Sequence, residues 1–407
     1  MDSCKKIQKI GVISLRKVIK KRNVAFLGTS LPRECGLATF SQDLMDELGR
    51  LHDFNAPRMI AVNNSKSYAY GNQVMTQIDQ FNRADYTKAA IEINHSNIDL
   101  VVIQHEFGIY GGESGDFVLD LAEKLSVPFI VIFHTILAEP SPKQRLIMKQ
   151  LSDLSFKIIT MSQSKVQDLL EIYNIDEEKI QVFHHGVPMV ETKSRNELKE
   201  RYGYSNRPIL STFGFLSPGK GIEYAIEAMS GVAAKHPEAL YIVWGKTHPV
   251  VKEEVGEVYR NKLMDLVSSL GLGHNVAFVD KHLTQEEVVE SLVLSDIYMT
   301  PYLGKDQAVS GTLAYGIGYG RVIISTPYRY AVEMLADGRG LLADFHNSAS
   351  LEQHILNVLD HPELKEEMER KTQELGSTMM WNEIAKSYAE LFRETMSASY
   401  VLKGSAI

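Results

Sequence analysis

The stretch that decides the fold runs from residue 296 to residue 345: DIYMTPYLGKDQAVSGTLAYGIGYGRVIISTPYRYAVEMLADGRGLLADF. It predicts an apolar strand, a polar loop, a helix of small residues that begins near Ser310, and a second apolar strand. In such a β-α-β unit the Ser-Gly-Thr helix start lies beyond the strand end, where its unpaired backbone N–H groups favour an anion. An acidic helix around Glu333 follows, and we interpret Glu333 as an ordinary surface residue of that helix.

The composition is that of a soluble globular protein with two or three domains. The chain has 407 residues, of which 44% are hydrophobic and 23% are charged. No apolar run approaches the roughly 18 residues that would span a membrane. The two cysteines, Cys4 and Cys35, exclude a disulfide framework and a cysteine-rich metal site, and they favour the reducing cytoplasm.

Charge is distributed unevenly along the chain. Residues 1–22 have a net charge of +7, whereas the whole chain has −8, which leaves −15 for the rest. Such an acidic body is a poor partner for nucleic acid, and we expect no binding to it. The basic, isoleucine-rich stretch 5–22 suits peripheral contact with the inner membrane surface. A disordered or wrongly assigned N-terminal extension is the alternative, because the stretch has no clean helical stripe.

Strands alternate with helices in two halves of similar pattern, which is typical of α/β domains with parallel sheets. The predicted strands are 23–28, 58–62, 98–104, 127–133, 157–160, 179–183, 208–213, 240–244, 276–279, 297–300, 322–325 and 340–343. One long helix is predicted over 253–270, and the glycine-rich loop 109–116 is predicted to be mobile. The first strand–loop–helix unit lacks the dinucleotide glycine fingerprint, which argues against a dehydrogenase.

The turn Gly219-Lys220-Gly221 follows a strand of the second half and opens the next predicted helix. Free N–H groups, a helix dipole and one mobile cation together suit a diphosphate. A solvated lysine at a helix start is the alternative. With the helix start at Ser310, Gly311 and Thr312, this turn predicts a phosphate site in the second half.

Polar side chains also follow strands of the first half. His105, Glu106 and Glu113 come after the third predicted strand, and His134 comes directly after the fourth. At the carboxyl ends of parallel strands such groups face a crevice, which favours ligand binding. A lone histidine is more often satisfied by a backbone carbonyl, so that alternative stays open for His134 at this level.

The spacing from Gln307 through Tyr315 to Gly320, followed by a strand and Thr-Pro, resembles the donor-site signature of glycosyltransferase family 4, the retaining family with the GT-B fold. The likeness extends over about residues 23–396. Two glutamates eight positions apart mark that signature, and Gln307 and Tyr315 stand in their places here. Phe215 stands where the family has an arginine five residues before the lysine.

The resemblance implies an α/β protein of two Rossmann-like, doubly wound domains that face each other across a cleft. The units would be a basic extension 1–22, an acceptor-binding domain 23–188, a nucleotide-sugar-binding domain 189–380, and a helix 381–396 that returns to complete the first domain. The adjacent His184 and His185 lack the supporting spacing of metal ligands, and we interpret them as hinge residues at the crossover.

The resemblance also implies a retaining hexosyltransferase of the cytoplasm. It would move glucose or mannose from a nucleotide-diphosphate sugar to a saccharide or lipid-linked acceptor, with no metal and no other cofactor. A donor phosphate oxygen would act as the base. The implied roles are catalysis by His134, Lys220 and Gln307, donor binding by Gly36, Gly219, Lys220, Ser310, Gly311, Thr312 and Tyr315, and acceptor binding by His105, Glu106 and Glu113.

Two other classes of protein stay open at this level. One is another GT-B enzyme, a sugar phosphorylase or a nucleotide-sugar epimerase. The other is a non-catalytic nucleotide-sugar-binding protein, which the residues Gln307, Tyr315 and Phe215 favour because each replaces a charged side chain of the family.

Overall fold

The computed structural model describes residues 20–64 and 66–404, with side chains up to residue 399. Most of the basic stretch 5–22, and with it the predicted membrane contact, lies outside the described residues. Within them, no helix combines the length and the apolar character needed to cross a membrane.

The first half of the chain forms a parallel sheet of seven strands in the order β3-β2-β1-β4-β5-β6-β7. Its strands are β1 (Val24–Gly28), β2 (Arg58–Asn63), β3 (Val74–Asp79), β4 (Leu100–His105), β5 (Phe129–Phe133), β6 (Lys157–Thr160) and β7 (Ile180–Val182). Its helices are α1 (Gly36–Arg50), α2 (Arg83–Asn94), α3 (Phe117–Ala122), α4 (Pro142–Leu154) and α5 (Val166–Glu171). The central strands read as continuous apolar runs because helices cover both faces of the sheet.

The second half forms a parallel sheet of six strands in the order β10-β9-β8-β11-β12-β13. Its strands are β8 (Ile209–Phe213), β9 (Leu240–Trp244), β10 (Val276–Val279), β11 (Ile297–Thr300), β12 (Ile323–Ser325) and β13 (Gly340–Leu342). Its helices are α6 (Arg195–Arg201), α7 (Ile222–Lys235), α8 (Pro249–Val255), α9 (Val258–Ser269), α10 (Gln285–Leu294), α11 (Gly311–Gly318), α12 (Arg329–Met334), α13 (Ser348–Asp360) and α14 (Pro362–Thr378). The predicted pair of doubly wound α/β domains is therefore confirmed.

The final helix, α15 (Trp381–Gly404), packs on the first domain. Trp381, Tyr388 and Phe392 are buried in the same apolar core as β1 and α1. The two chain crossings between the domains lie side by side, since the Val187 N–H donates to Met379 O at 2.8 Å and the Trp381 N–H donates to Val187 O at 2.9 Å. The sequence predicts a returning helix over 381–396, and α15 begins at the same residue and extends to Gly404.

Several local predictions were wrong, for identifiable reasons. The edge strand β3 was missed because its sequence, VMTQID, is half polar and has only one buried residue. The predicted helix 253–270 is two helices, separated at Gly256, whose φ is +68°. Within loop 109–116 the backbone packs closely on its neighbours, because a Cβ at Gly111 would lie 1.9 Å from Gln80 O.

Each sheet has a point where the strand order reverses, and ligands of open α/β sheets bind beside it, at the carboxyl ends of the strands. In the first sheet this point lies between β1 and β4, and in the second between β8 and β11. The loops that follow β1 and β8, with those that follow β2 and β9, line a cavity between the domains.

Candidate active site

The start of α11 presents free backbone donors. Ser310 is its N-cap, and the Ser310 hydroxyl accepts a hydrogen bond from the Leu313 N–H at 3.2 Å. Among the described residues, nothing accepts from the N–H groups of Gly311 and Thr312. These two donors and the positive end of the helix dipole form an anion-binding position.

Lys220 lies beside this helix start, and Tyr302 connects the two. The Lys220 Nζ lies 3.8 Å from the centroid of the Tyr302 ring. The Tyr302 hydroxyl forms a 2.7 Å hydrogen bond with the Thr312 hydroxyl. Lys220 has no ion pair or hydrogen bond to another described side chain, so its charge is available to a ligand.

Gly221 permits this approach of the two loops. Its φ is +60°, and a Cβ there would lie 2.1 Å from Pro301 O, so a side chain is excluded. The backbone bond from Leu303 N–H to Gly219 O, at 3.0 Å, joins the same two loops. Lys220 itself belongs to a 3₁₀ turn, Pro218–Lys220, and α7 begins only after Gly221, which corrects the prediction that Lys220 opens the helix.

Phe215, in the place of the family's arginine, stacks on His282 at a centroid distance of 5.9 Å. The edge of His248 contacts its ring at 5.4 Å. Phe213, Phe215, His282 and Leu283 line a mainly apolar cavity of about 150 Å³ at the end of β8. Such a slot accepts a flat, weakly polar ring.

Arg321 and Arg329 do not replace the missing arginine. Arg321 donates to the backbone carbonyls of Tyr319 and Val293. Arg329 forms an ion pair with Asp168 of the first domain. Both guanidinium groups are therefore engaged in structural contacts.

Gln307 and Tyr315 lie in different environments. The Gln307 Nε2 donates to Val309 O at 2.9 Å, which leaves the amide oxygen of Gln307 for a ligand. The Tyr315 ring packs at 6.2 Å from both Phe213 and His185, and burial raises the pKa of its hydroxyl strongly. Tyr315 thus belongs to an aromatic group between the domains.

His134 faces that aromatic group from the first domain. The His134 ring packs edge-to-face with Phe40 at a centroid distance of 5.0 Å, and the His134 Nε2 lies 2.6 Å from Gln104 Oε1. Since an amide oxygen only accepts, the Nε2 of His134 carries the proton. Burial lowers the pKa of His134 to about 3, so the ring is neutral at physiological pH.

The three residues predicted to bind the acceptor lie in different environments. His105 is fully buried among Phe107, Tyr110 and Phe133, so its ring does not face the cleft, and that prediction was wrong. Glu106 accepts from the Thr135 hydroxyl and the Phe107 N–H, whereas Glu113 is exposed in a 3₁₀ turn.

A cavity of about 570 Å³ lies between the two domains. Arg33, Gly36 and Tyr68 line it from the first domain, and Phe215 and His248 line it from the second. Gly36 is exposed there, with no atom within 4 Å of the position of a Cβ, and Gly219 is equally open. Two ion pairs cross this cleft, Lys66 with Glu253 at 2.7 Å and Lys246 with Glu34 at 2.6 Å.

Glu333 is an interdomain contact, not a residue of the free surface as predicted. Its carboxylate accepts from the Ser162 hydroxyl at 2.6 Å, the Gln163 N–H at 2.8 Å and the Ser164 N–H at 2.9 Å. It therefore caps the 3₁₀ turn that precedes α5, across the domain boundary.

Sequence reasoning missed Tyr302 and underestimated His185. The His185 Nε2 lies 3.1 Å from the position that a Gly311 Cβ would take, and its ring contacts Phe40 at 5.2 Å. His185 is thus part of the site as well as of the crossing. A signal for Tyr302 was present, since it comes just after Pro301 at the carboxyl end of β11, a central strand.

Comparison with known proteins agrees with this architecture. Residues 194–375 match the family model "Glycosyl transferases group 1". A D-inositol 3-phosphate glycosyltransferase of Corynebacterium efficiens is 23% identical over 289 residues, which are 67% of each chain.

Solved structures show the same fold. A glycosyltransferase of Rickettsia africae superposes with a TM-score of 0.73 at 18% identity, over 92% of this chain and 99% of that one. HepE of Anabaena, solved with UDP and glucose, gives a TM-score of 0.71 at 16% identity, over 92% of this chain and 100% of its own. Residues 194–375 therefore form a domain that matches the group 1 glycosyltransferases, and the described part of the chain has the two-domain GT-B fold.

Proposed function

We propose that this enzyme is a retaining hexosyltransferase that takes glucose or mannose from a nucleotide-diphosphate sugar. The observation that carries the proposal is the contact between two anion-binding elements, the Lys220 turn and the start of α11, through Tyr302. A group with two linked phosphates fits a paired site of this kind better than a single anion does.

The donor site would act on the charge that develops during transfer. As the bond between the sugar and the diphosphate breaks, negative charge grows on the leaving phosphate oxygen. The Lys220 ammonium and the N–H groups of Gly311 and Thr312 would stabilise that charge. The acceptor oxygen forms the new bond to the same sugar carbon, and its proton passes to a phosphate oxygen.

The nucleobase would occupy the apolar slot at the end of β8. Phe215 and His282 offer a stacked face there, where an arginine would have offered charge. Phe215 would therefore contribute to binding the nucleotide rather than to stabilising the diphosphate.

The acceptor would enter the cleft from the first domain, where Gly36 leaves open space beside α1. Neutral His134 offers the sugar a hydrogen-bonding group without adding a cation, and the oxygen of Gln307 would accept from a sugar hydroxyl. A saccharide or lipid-linked acceptor is proposed, with the protein in the cytoplasm.

UDP-glucose is the first donor to test, because HepE was solved with UDP and glucose. The Lys220→Ala variant should lower kcat by about 100-fold and also weaken UDP binding in calorimetry, because it removes one charged donor from the leaving group. The Lys235→Ala variant, at the other end of α7, should match the wild type. Unchanged kinetics in Lys220→Ala would overturn the diphosphate assignment.

The products decide between the open classes of GT-B enzyme. Transfer from UDP-glucose or GDP-mannose with release of the nucleoside diphosphate supports the proposal. Sugar-phosphate formation from inorganic phosphate would instead identify a phosphorylase, and nucleotide binding without turnover would identify a binding module.

A further inference from the structure

A second pocket opens beside the interdomain cleft, at the carboxyl ends of β2 and β3. This strand-end pocket has a volume of about 350 Å³, and its lining includes Asn63, Asn64, Lys66, Tyr68, Gln77 and Asp79. The last residues of the two strands, Asn63 and Asp79, are paired in register. Asn64, Lys66 and Tyr68 also line the cleft, so the two cavities are adjacent and share this wall.

Hydrogen bonds within the pocket hold its amides in fixed orientations. The Tyr70 hydroxyl donates to Asn63 Oδ1 at 2.5 Å, and the Asn63 Nδ2 donates to Gln77 Oε1 at 2.8 Å. The Tyr68 hydroxyl donates to Asn64 Oδ1 at 3.1 Å. Each of these amides therefore presents a defined edge to the pocket.

Donors and acceptors remain for a ligand. Among the described residues, no partner is present for Gln77 Nε2, for Asn64 Nδ2 or for the Oδ2 of Asp79, whose other oxygen accepts from the Phe81 N–H at 2.9 Å. A sugar hydroxyl both donates and accepts, so it suits a wall with both kinds of group.

Charge in the pocket argues against other ligands. Asp79 and Asp85 disfavour a phosphate or carboxylate, and the charge of Lys66 is already paired with Glu253. A lipid chain would leave the amide and carboxylate groups without hydrogen bonds, which is costly. The chemistry fits a neutral polyhydroxylated group.

The position of the pocket sets the size of the ligand. β3 lies two strands away from β1, which corresponds to about 10 Å at the usual strand spacing. One sugar ring at the point of strand reversal, between β1 and β4, does not extend that far. A linked second ring does.

We propose that the strand-end pocket binds the second sugar unit of the acceptor, so that the preferred acceptor is an oligosaccharide of at least two units. This inference rests on the proposed transferase function, and it deepens that function by naming the acceptor class. Gln77 and Asp79 are then specificity-determining residues that contact the unit next to the reacting one.

The test compares acceptors of one and two units with the full-length enzyme. The probes are methyl α-glucoside with maltose, and methyl α-mannoside with α-1,2-mannobiose, at a fixed concentration of UDP-glucose or GDP-mannose. We expect a kcat/KM at least tenfold higher for the two-unit acceptor of the preferred pair. Gln77→Ala should lower kcat/KM for the two-unit acceptor by about tenfold, because it deletes one hydrogen bond to the second unit. The kcat/KM for the one-unit acceptor should stay unchanged.

Gln73→Ala is the matched control, since Gln73 directly precedes β3 and lies outside the pocket. Equal kcat/KM for one and two units, or an equal loss in both with Gln77→Ala, would overturn the inference while leaving the transferase function intact. Saturation-transfer NMR of the same disaccharides gives a readout that does not need turnover. Transfer signals that are the same in the wild type and in Gln77→Ala would also contradict the inference. If the signals depend on Gln77 but Lys220→Ala has unchanged kinetics, the sugar-binding pocket stands and the proposed transferase function is rejected.

Discussion

Gln307 lies in the loop before α11, and its amide side chain fits the conformation of that loop. Its Nε2 donates to Val309 O, and this bond shapes the loop just before the Ser310 cap. A glutamate at the same place would set a carboxylate oxygen against that carbonyl, and two acceptors repel each other. An amide at residue 307 therefore suits this loop conformation better than a carboxylate does.

Restoring the family's acid should harm the enzyme. We expect Gln307→Glu to lower kcat/KM for the donor by about tenfold, the equivalent of one lost hydrogen bond. Steady-state kinetics with UDP-glucose measure the effect, and Gln353→Glu on the exposed face of α13 is the control. A higher kcat/KM for the donor in Gln307→Glu would contradict a role of the Gln307–Val309 hydrogen bond in shaping the loop.

At the scale of elements, α12 and the turn before α5 are joined by Glu333. One carboxylate serves three donors of the other domain, and two of these are backbone N–H groups at a helix start. Such groups are costly when they are left without acceptors. The contact therefore fixes the angle between two helices that lie far apart in the sequence.

Removing that carboxylate should destabilise the protein. Glu333→Ala is expected to lower the free energy of unfolding by about 2 kcal/mol, in the range for hydrogen bonds to a charged group. Glu333→Gln should lose less free energy of unfolding, because its amide oxygen still accepts hydrogen bonds from the turn before α5. Thermal denaturation checks both against Glu366→Ala, an exposed glutamate of α14. A melting temperature of Glu333→Ala equal to that control would refute the capping role.

At the scale of the whole molecule, Asp43 joins three elements. Its carboxylate accepts from the Gln285 Nε2 of α10 at 3.2 Å and from the Trp381 Nε1 of α15 at 3.1 Å, while Asp43 itself lies on α1. Burial is the main cause that raises the pKa of Asp43 to about 6. Asp43 thus holds an ionisable group at the junction of both domains and the returning helix.

Stability should depend on the charge of Asp43. Its pKa rises from 3.8 to about 6 on folding, so the native state holds this proton more tightly, and the resulting stabilisation is lost as the pH rises through 6. Asp43→Asn cannot ionise, so its free energy of unfolding should increase relative to that of the wild type by up to about 3 kcal/mol between pH 4 and pH 7. Melting temperatures across this range measure the difference, with the exposed Asp46→Asn on the same helix as control. A constant difference from the wild type at every pH would contradict the assignment.

Local sequence determined most of the elements. The apolar runs at residues 240–244 and 297–300 coincide with β9 and β11, because a strand covered on both faces must be apolar throughout. The run at 276–279 coincides with the half-buried edge strand β10. The lysine turn and the Ser-Gly-Thr helix start were recognisable too, since each depends on neighbouring residues alone. The edge strand β3 was not, because half of its residues are polar and only one of its six side chains is buried.

Only the tertiary structure decided how these parts meet. Tyr302 joins Lys220 to α11, Glu333 reaches a turn 169 to 171 residues away, and Asp43 meets Trp381 across 338 residues. Contacts between such distant positions leave no periodicity in the chain. The sequence by itself therefore determined two α/β domains and an anion site, and the packing of one domain against the other decided which side chains complete that site.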